Sequence, residues 1–172
     1  SKLTSLSSEE REKGIVAISS GNHGAAVSYA AKLLGIKNVT VYVPETTPSP
    51  KIEKIKYYGA NVVGVGKNYD EAHKIGLEKI KESDSIFIDP CSDEVVIAGQ
   101  GTIGIEILEQ EPSIDTILVP IGGGGIITGI AMAAKHIKLD IKIIGLQTKA
   151  CPAMVESLKD NEFYEVFPTE DS

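Results

Sequence analysis

The sequence is short of most features that would point to a disulfide scaffold, a metal cluster, a nucleic-acid binder or a membrane protein. Its 172 residues include two cysteines. Cys91 and Cys151 lack metal-type spacing and are too few for a disulfide framework, so a reducing, cytoplasmic setting is expected. Positive charge is in deficit, with 17 Lys and Arg against 24 Asp and Glu and a net charge of −7. A nucleic-acid footprint needs a basic face, and an anionic membrane surface attracts one, so this balance argues against both partners. No apolar run approaches the roughly 20 residues of a membrane helix. The opening stretch SKLTSLSSEEREKG has neither an apolar signal core nor a cleavage-site pattern. There is no solenoid-period repeat and no low-complexity tract.

What remains is an ordinary globular composition, 42% hydrophobic, sufficient for one domain or two small ones. Short apolar runs alternate with helical patterns. Strands are expected over Ile15–Ser19, Val39–Val43, Asn61–Val65, Ser85–Ile88, Thr116–Val119 and Ile141–Leu146. Helices are expected over His23–Leu34, Lys51–Tyr58, Tyr69–Lys81, Val95–Glu109, Ile126–His136 and Pro152–Leu158. Gly99, Gly101 and Gly104 weaken the start of the fourth helix. Alternating strands and helices predict an α/β fold of parallel sheets with flanking helices. Continuous apolar runs such as IVAIS fit strands buried on both faces. Asp89-Pro90 divides the chain into two Rossmann-like lobes, 1–90 and 91–172, the second incomplete.

Each lobe carries one glycine-rich turn between a strand and a helix, the arrangement that points free backbone N–H groups at an anion. The second turn, Gly122-Gly123-Gly124-Gly125, fails the dinucleotide pattern, which would need Gly at Ile127 or Gly or Ala at Thr128. Gly66-Lys67 fails the P-loop test, because Asn68 follows it. Four glycines without Cβ atoms let successive N–H groups curl round one oxyanion, which suits a terminal phosphate. A plain tight turn is the alternative, but it would need a single glycine. The first turn, Ser19-Ser20-Gly21-Asn22-His23-Gly24, adds hydroxyls, an amide and an imidazole. A small-anion or carboxylate site explains that set better than helix capping, although Asn22 can serve in both. Gly21 and Gly24 clear space for the ligand. One ligand shared by the two turns is the expectation.

Other residues have plainer readings. His73 and His136 sit beside lysines on solvated helix faces. Glu53, Glu71 and Glu78 read as surface pairing with neighbouring lysines. Cys91 and Cys151 read as small hydrophobes, and Glu162–Ser172 as a loop or fraying end.

SSGNHGAAVSYAAKLLGI, VYVPETTPSPKIEKIKYYGANVV, VVIAGQGTIGIEILEQ and TILVPIGGGGIITGIA, in that order, resemble the serine/threonine dehydratase and serine racemase family. These are pyridoxal 5′-phosphate (PLP) enzymes of the tryptophan-synthase-β fold type. The resemblance implies that Gly122, Gly123, Gly124 and Gly125 hold the cofactor phosphate. It implies that Asn22 hydrogen-bonds the pyridine 3′-oxygen, and that Ser19, Ser20, Gly21, Asn22 and His23 grip the substrate carboxylate. Ser20 matches the hydroxyl that faces the substrate Cα in racemase members, where many dehydratases carry Ala, and so is a catalytic candidate. The implied reaction is deamination of L-threonine or L-serine to a 2-oxo acid and ammonia. Serine racemase and a non-catalytic anion-binding or assembly module remain alternatives.

Two departures qualify the resemblance. The family's Schiff-base lysine stands in a Ser-x-Lys-x-Arg-Gly-type motif that no lysine here matches, Lys2 and Lys13 included. The chain therefore reads as an internal fragment, expected to be inactive alone and, with an incomplete second lobe, to self-associate into a homo-oligomer. Racemase-like members also carry a cation site just after the strand ending at Leu146. Gln147-Thr148-Lys149 stands there without a carboxylate, so no Mg²⁺ or Ca²⁺ site is expected, which tilts the reading towards threonine dehydratase.

Overall fold

The computed structural model describes residues 2–150 and 152–164. They divide into two compact units, Ser1–Asp89 and Pro90–Ser172, each of them parallel α/β as the strand–helix alternation predicts.

In the first unit, α1 (Lys2–Ser5) and α2 (Ser8–Glu12) precede β1 (Ile15–Ile18). Neither helix figures among the elements expected from sequence, because both are too short to show a 3.6-residue period. The legible signal was Ser7-x-x-Glu10. The Glu10 N–H donates to Ser7 Oγ (3.1 Å) and the Ser7 N–H to Glu10 Oε2 (2.7 Å), a reciprocal cap at the start of α2. These hydrogen bonds to Ser7 hold the Glu10 carboxyl below its ordinary range.

After β1 come α3 (Asn22–Leu33), β2 (Val39–Val43), α4 (Ser49–Tyr57), β3 (Asn61–Gly64), α5 (Tyr69–Lys81) and β4 (Ile86–Phe87). The four strands are parallel, in the order β3-β2-β1-β4. Side-chain alternation along β2 explains the layering. A Cβ on Gly24 of α3 would stand 2.8 Å from Val41 Cγ1, whereas one on Gly76 of α5 would stand 2.7 Å from Ile18 Cδ1 and 3.6 Å from Tyr42 Cβ. Val41 and Tyr42 are consecutive and point to opposite faces, so α3 and α5 cover opposite sides of the sheet. With helices on both faces, every residue of β1 is buried. Gly24 is thus a packing glycine, and its expected role of clearing ligand space is corrected: its missing Cβ lets α3 lie on Val41 and Ile55.

Chain order along the sheet runs outward from β1 to β3 and then returns to the other side of β1 as β4. Connections leaving β1 and β4 therefore diverge at that point. Open α/β sheets bind ligands where this reversal occurs, beyond the carboxyl ends of the strands. The Ser19–Gly24 turn leaves β1 there.

The second unit holds α6 (Glu94–Gln110), β5 (Thr116–Pro120), α7 (Gly125–Ile137), β6 (Lys142–Leu146) and α8 (Ala153–Asp160). Strands β5 and β6 pair in parallel. Leu108, Ile117, Val119, Ile130, Ala134 and Ile141 form the core under α6 and α7. The glycines of α6 do not weaken it. Asp93 Oδ1 caps it by accepting from the N–H groups of Val95 and Val96, and the helix runs unbroken. A Cβ on Gly101 would come 3.0 Å from Gly129 O, and one on Gly104 3.0 Å from Ile130 O, so these glycines let the backbones of α6 and α7 approach closely. The other face of the small sheet is apolar yet open: Leu118 is 60% exposed and Leu146 49%.

Candidate functional site

The first turn is built by what it leaves unpaired. The Ser19 N–H continues the sheet by donating to Tyr42 O (3.0 Å), and the Gly21 N–H donates to Ser19 Oγ (3.1 Å). The first helical bond of α3 runs from Ala25 to Gly21. Among the described residues, the N–H groups of Ser20, Asn22, His23 and Gly24 therefore have no acceptor. Gly21 is the N-cap residue, and no side chain caps α3. The Ser20 hydroxyl and the Asn22 amide make no hydrogen bond to a described residue either. Capping therefore does not account for them. Four N–H donors, two uncommitted polar side chains and the positive end of a twelve-residue helix form an array suited to a carboxylate.

His23 plays a different part from the rest of the turn. Its Nε2 lies 2.8 Å from Ile88 O, just past β4. Burial lowers the imidazole pKa from its ordinary 6.5, against the opposing pull of the Ile88 carbonyl and the Asp89 carboxylate. The neutral ring donates its Nε2–H to that carbonyl and ties α3 to the adjacent strand, leaving the backbone N–H of His23 for a ligand.

The second turn is tighter. Gly124 has φ +90° and ends in the left-handed region where glycine is at ease. A Cβ on Gly123 would fall 2.3 Å from Cys91 Sγ, and one on Gly125 2.4 Å from Pro90 O, whereas one on Gly122 meets nothing within 4 Å. The turn is wedged against Pro90 and Cys91 on one side and open on the other. Its first helical bond runs from Thr128 to Gly124. Among the described residues, the six N–H groups from Gly122 to Ile127 thus have no acceptor. A row of uncommitted donors at the start of α7, carried by residues without Cβ atoms from Gly122 to Gly125, fits a phosphate group.

Gln147 is committed elsewhere: its Oε1 accepts the Val155 N–H (3.0 Å) in the first turn of α8. Glu71 likewise departs from simple lysine pairing. Its N–H donates to Asn68 Oδ1 (2.9 Å), the N-cap of α5, and its Oε2 accepts the Lys67 N–H (2.8 Å) just before that helix. His73 stacks on Tyr69, with ring centroids 5.7 Å apart. Cys151 and most of the acidic stretch Glu162–Ser172 lie outside the described residues.

One residue near the first turn escaped the sequence reading. Lys51 Nζ would be 3.6 Å from a Cβ placed on Gly21. Nothing in the local pattern KIEKIK sets it apart; only the packing of α4 on α3 brings it there.

Comparison with known proteins gives a consistent result. The family described as pyridoxal-phosphate dependent enzyme matches residues 1–171. An L-threonine ammonia-lyase of Thermotoga maritima is 42% identical over 158 residues, covering 92% of this chain and 39% of its own. A catabolic L-threonine dehydratase of Staphylococcus aureus is 44% identical over 164 residues, covering 95% of this chain and 47% of its own. The chain thus spans less than half the length of these relatives. Among solved structures, maize serine racemase superposes with a TM-score of 0.90 at 36% identity, over 98% of this chain and 51% of that one. The processed form of threonine deaminase isoform 2 from Solanum lycopersicum gives 0.89 at 36% identity, over 98% and 46%.

Proposed function

The chain belongs to the pyridoxal-phosphate-dependent enzyme family, and from that membership we propose that it serves the β-elimination of L-threonine, or L-serine, to a 2-oxo acid and ammonia. The observation that carries this reading is the pair of turns, most of whose N–H donors have no acceptor among the described residues. Gly122–Gly125 and the start of α7 take the phosphate through neutral N–H groups. The Ser19–Gly24 turn takes the substrate carboxylate, and the Asn22 amide is free to hydrogen-bond the ring oxygen. Bound PLP supplies an electron sink for the pair left at the substrate Cα. Holding the carboxylate fixes the direction of the Cα–H bond, which is the positioning contribution of these residues. Elimination removes that proton and the β-hydroxyl as water, and hydrolysis of the released enamine gives the 2-oxo acid and ammonia. We assign the Schiff-base lysine to none of the lysines in this chain. The relatives named for L-threonine chemistry support threonine as the substrate, and a cytoplasmic homo-oligomer is the proposed setting.

Ser20 favours one second reading. A hydroxyl with no acceptor among the described residues can relay a proton at Cα, as serine racemization requires. In a protein that supplies the Schiff-base lysine as well as these residues, Ser20→Ala abolishing D-serine formation while sparing ammonia release would support it.

The test is titration with PLP, followed by borohydride trapping and peptide mapping. Saturable binding that is lost on widening Gly123 or Gly124, with no lysine of this chain labelled, is the expected result. Stoichiometric labelling of one of its lysines would overturn the assignment.

A further inference from the structure

Lys51 occupies a place that its charge should avoid. It lies in the first turn of α4, which has no acidic residue there. It also reaches Gly21, the N-cap of α3, to within 3.6 Å of the position a Cβ would take. Helix N-termini carry partial positive charge, so a cation at the start of its own helix and beside the start of another is doubly disfavoured. Among the described residues no carboxylate lies within ion-pair distance of it. An anion at the Ser19–Gly24 turn would remove this frustration, because it would be attracted to all three positive groups at once. The absence of a side chain at Gly21 keeps the space between ammonium and turn open.

We infer that Lys51 is a positioning residue for the substrate, its ammonium contacting the α-carboxylate held at the Ser19–Gly24 turn. The inference rests on the reading that this turn takes the carboxylate. Lys51 acts as a charge and not as a nucleophile. Since it is exposed, its contribution is that of a largely solvated ion pair, about three- to tenfold in affinity. It also weakens as salt rises, because such pairs are screened over roughly 8–10 Å at physiological ionic strength.

The test is a titration of the chain with sodium acetate at constant ionic strength, followed through the backbone amide resonances of Ser20 to Gly24. The wild type should show saturable shifts at these amides. Lys51→Gln should weaken acetate binding about three- to tenfold with no loss of melting temperature, Lys51→Arg should restore most of it, and Lys54→Gln on the same helix should leave it unchanged. Raising the salt should reduce wild-type affinity and leave that of Lys51→Gln nearly constant. Saturable wild-type binding that Lys51→Gln does not weaken would overturn the role of Lys51 and leave the carboxylate reading of the turn intact. No shift at Ser20–Gly24 in the wild type would overturn both.

Discussion

Gly123→Ala tests whether the second turn is a cradle held in shape by its neighbours. The backbone at Gly123 is not left-handed, so alanine avoids left-handed strain and the main penalty is steric. The new methyl would sit 2.3 Å from Cys91 Sγ and 3.3 Å from Cys91 Cβ. Contacts of the first kind force a shift, and overpacking of this sort costs about 1–3 kcal/mol. The clash lies mainly with one sulfur, so removing it should remove the penalty. In Cys91→Ala the remaining approach is the 3.3 Å contact, which a few tenths of an ångström of movement relieves. The double-mutant cycle should therefore show a favourable coupling of about 1–2 kcal/mol between the substitutions. The assay is thermal unfolding with and without inorganic phosphate. For a unit of about this size, 1 kcal/mol corresponds to roughly 4–8 °C. Phosphate should raise the wild-type melting temperature through binding to the folded state. Gly123→Ala should lower the melting temperature and lose the phosphate response, and Cys91→Ala/Gly123→Ala should recover both. If Gly123→Ala costs as much in the Cys91→Ala background as in the wild type, the wedge against Cys91 is not what shapes the turn.

Further outcomes follow from the same contacts. Gly124→Ala places a methyl-bearing residue at φ +90° and should cost about 1–2 kcal/mol, with Gly124→Asn milder, as judged by denaturant midpoints. The folded-state pKa of His23 lies below the ordinary 6.5, so the unfolded chain binds more protons. Its contribution is therefore intact above about pH 6.5 and is lost as pH falls through the folded value. Melting curves between pH 7 and 5 should show that decline, and His23→Asn should flatten it; an equal decline in the variant would exclude His23 as its source. Ser7→Ala breaks the reciprocal cap of α2 and should cost about 1 kcal/mol in chemical denaturation. Gly129→Ala would bring a Cβ within 2.3 Å of Ile97 O and 2.7 Å of Gly101 N. Both are backbone atoms that cannot rotate away, so the loss should reach about 3 kcal/mol and resist rescue by side-chain truncation on α6.

The sequence alone determined the α/β class, the parallel strands and the two glycine-rich turns with exposed backbone donors. Parallel strands covered on both faces must be continuously apolar, and IVAIS and TILVPI show it. Turns that expose backbone donors must dispense with Cβ atoms, and GGGG shows that. Both are local consequences of chain chemistry and can be read residue by residue. Tertiary structure decided which glycines serve packing. Gly24 and Gly101 resemble Gly21 and Gly122 in sequence, but Gly24 faces Val41 and Gly101 faces Gly129. The same holds for side chains. The His23 imidazole is committed to Ile88 O, far along the chain, and Lys51 was one lysine among several until α4 lay down beside α3. Such roles depend on neighbours distant in sequence, and only the folded sheet brings those neighbours together.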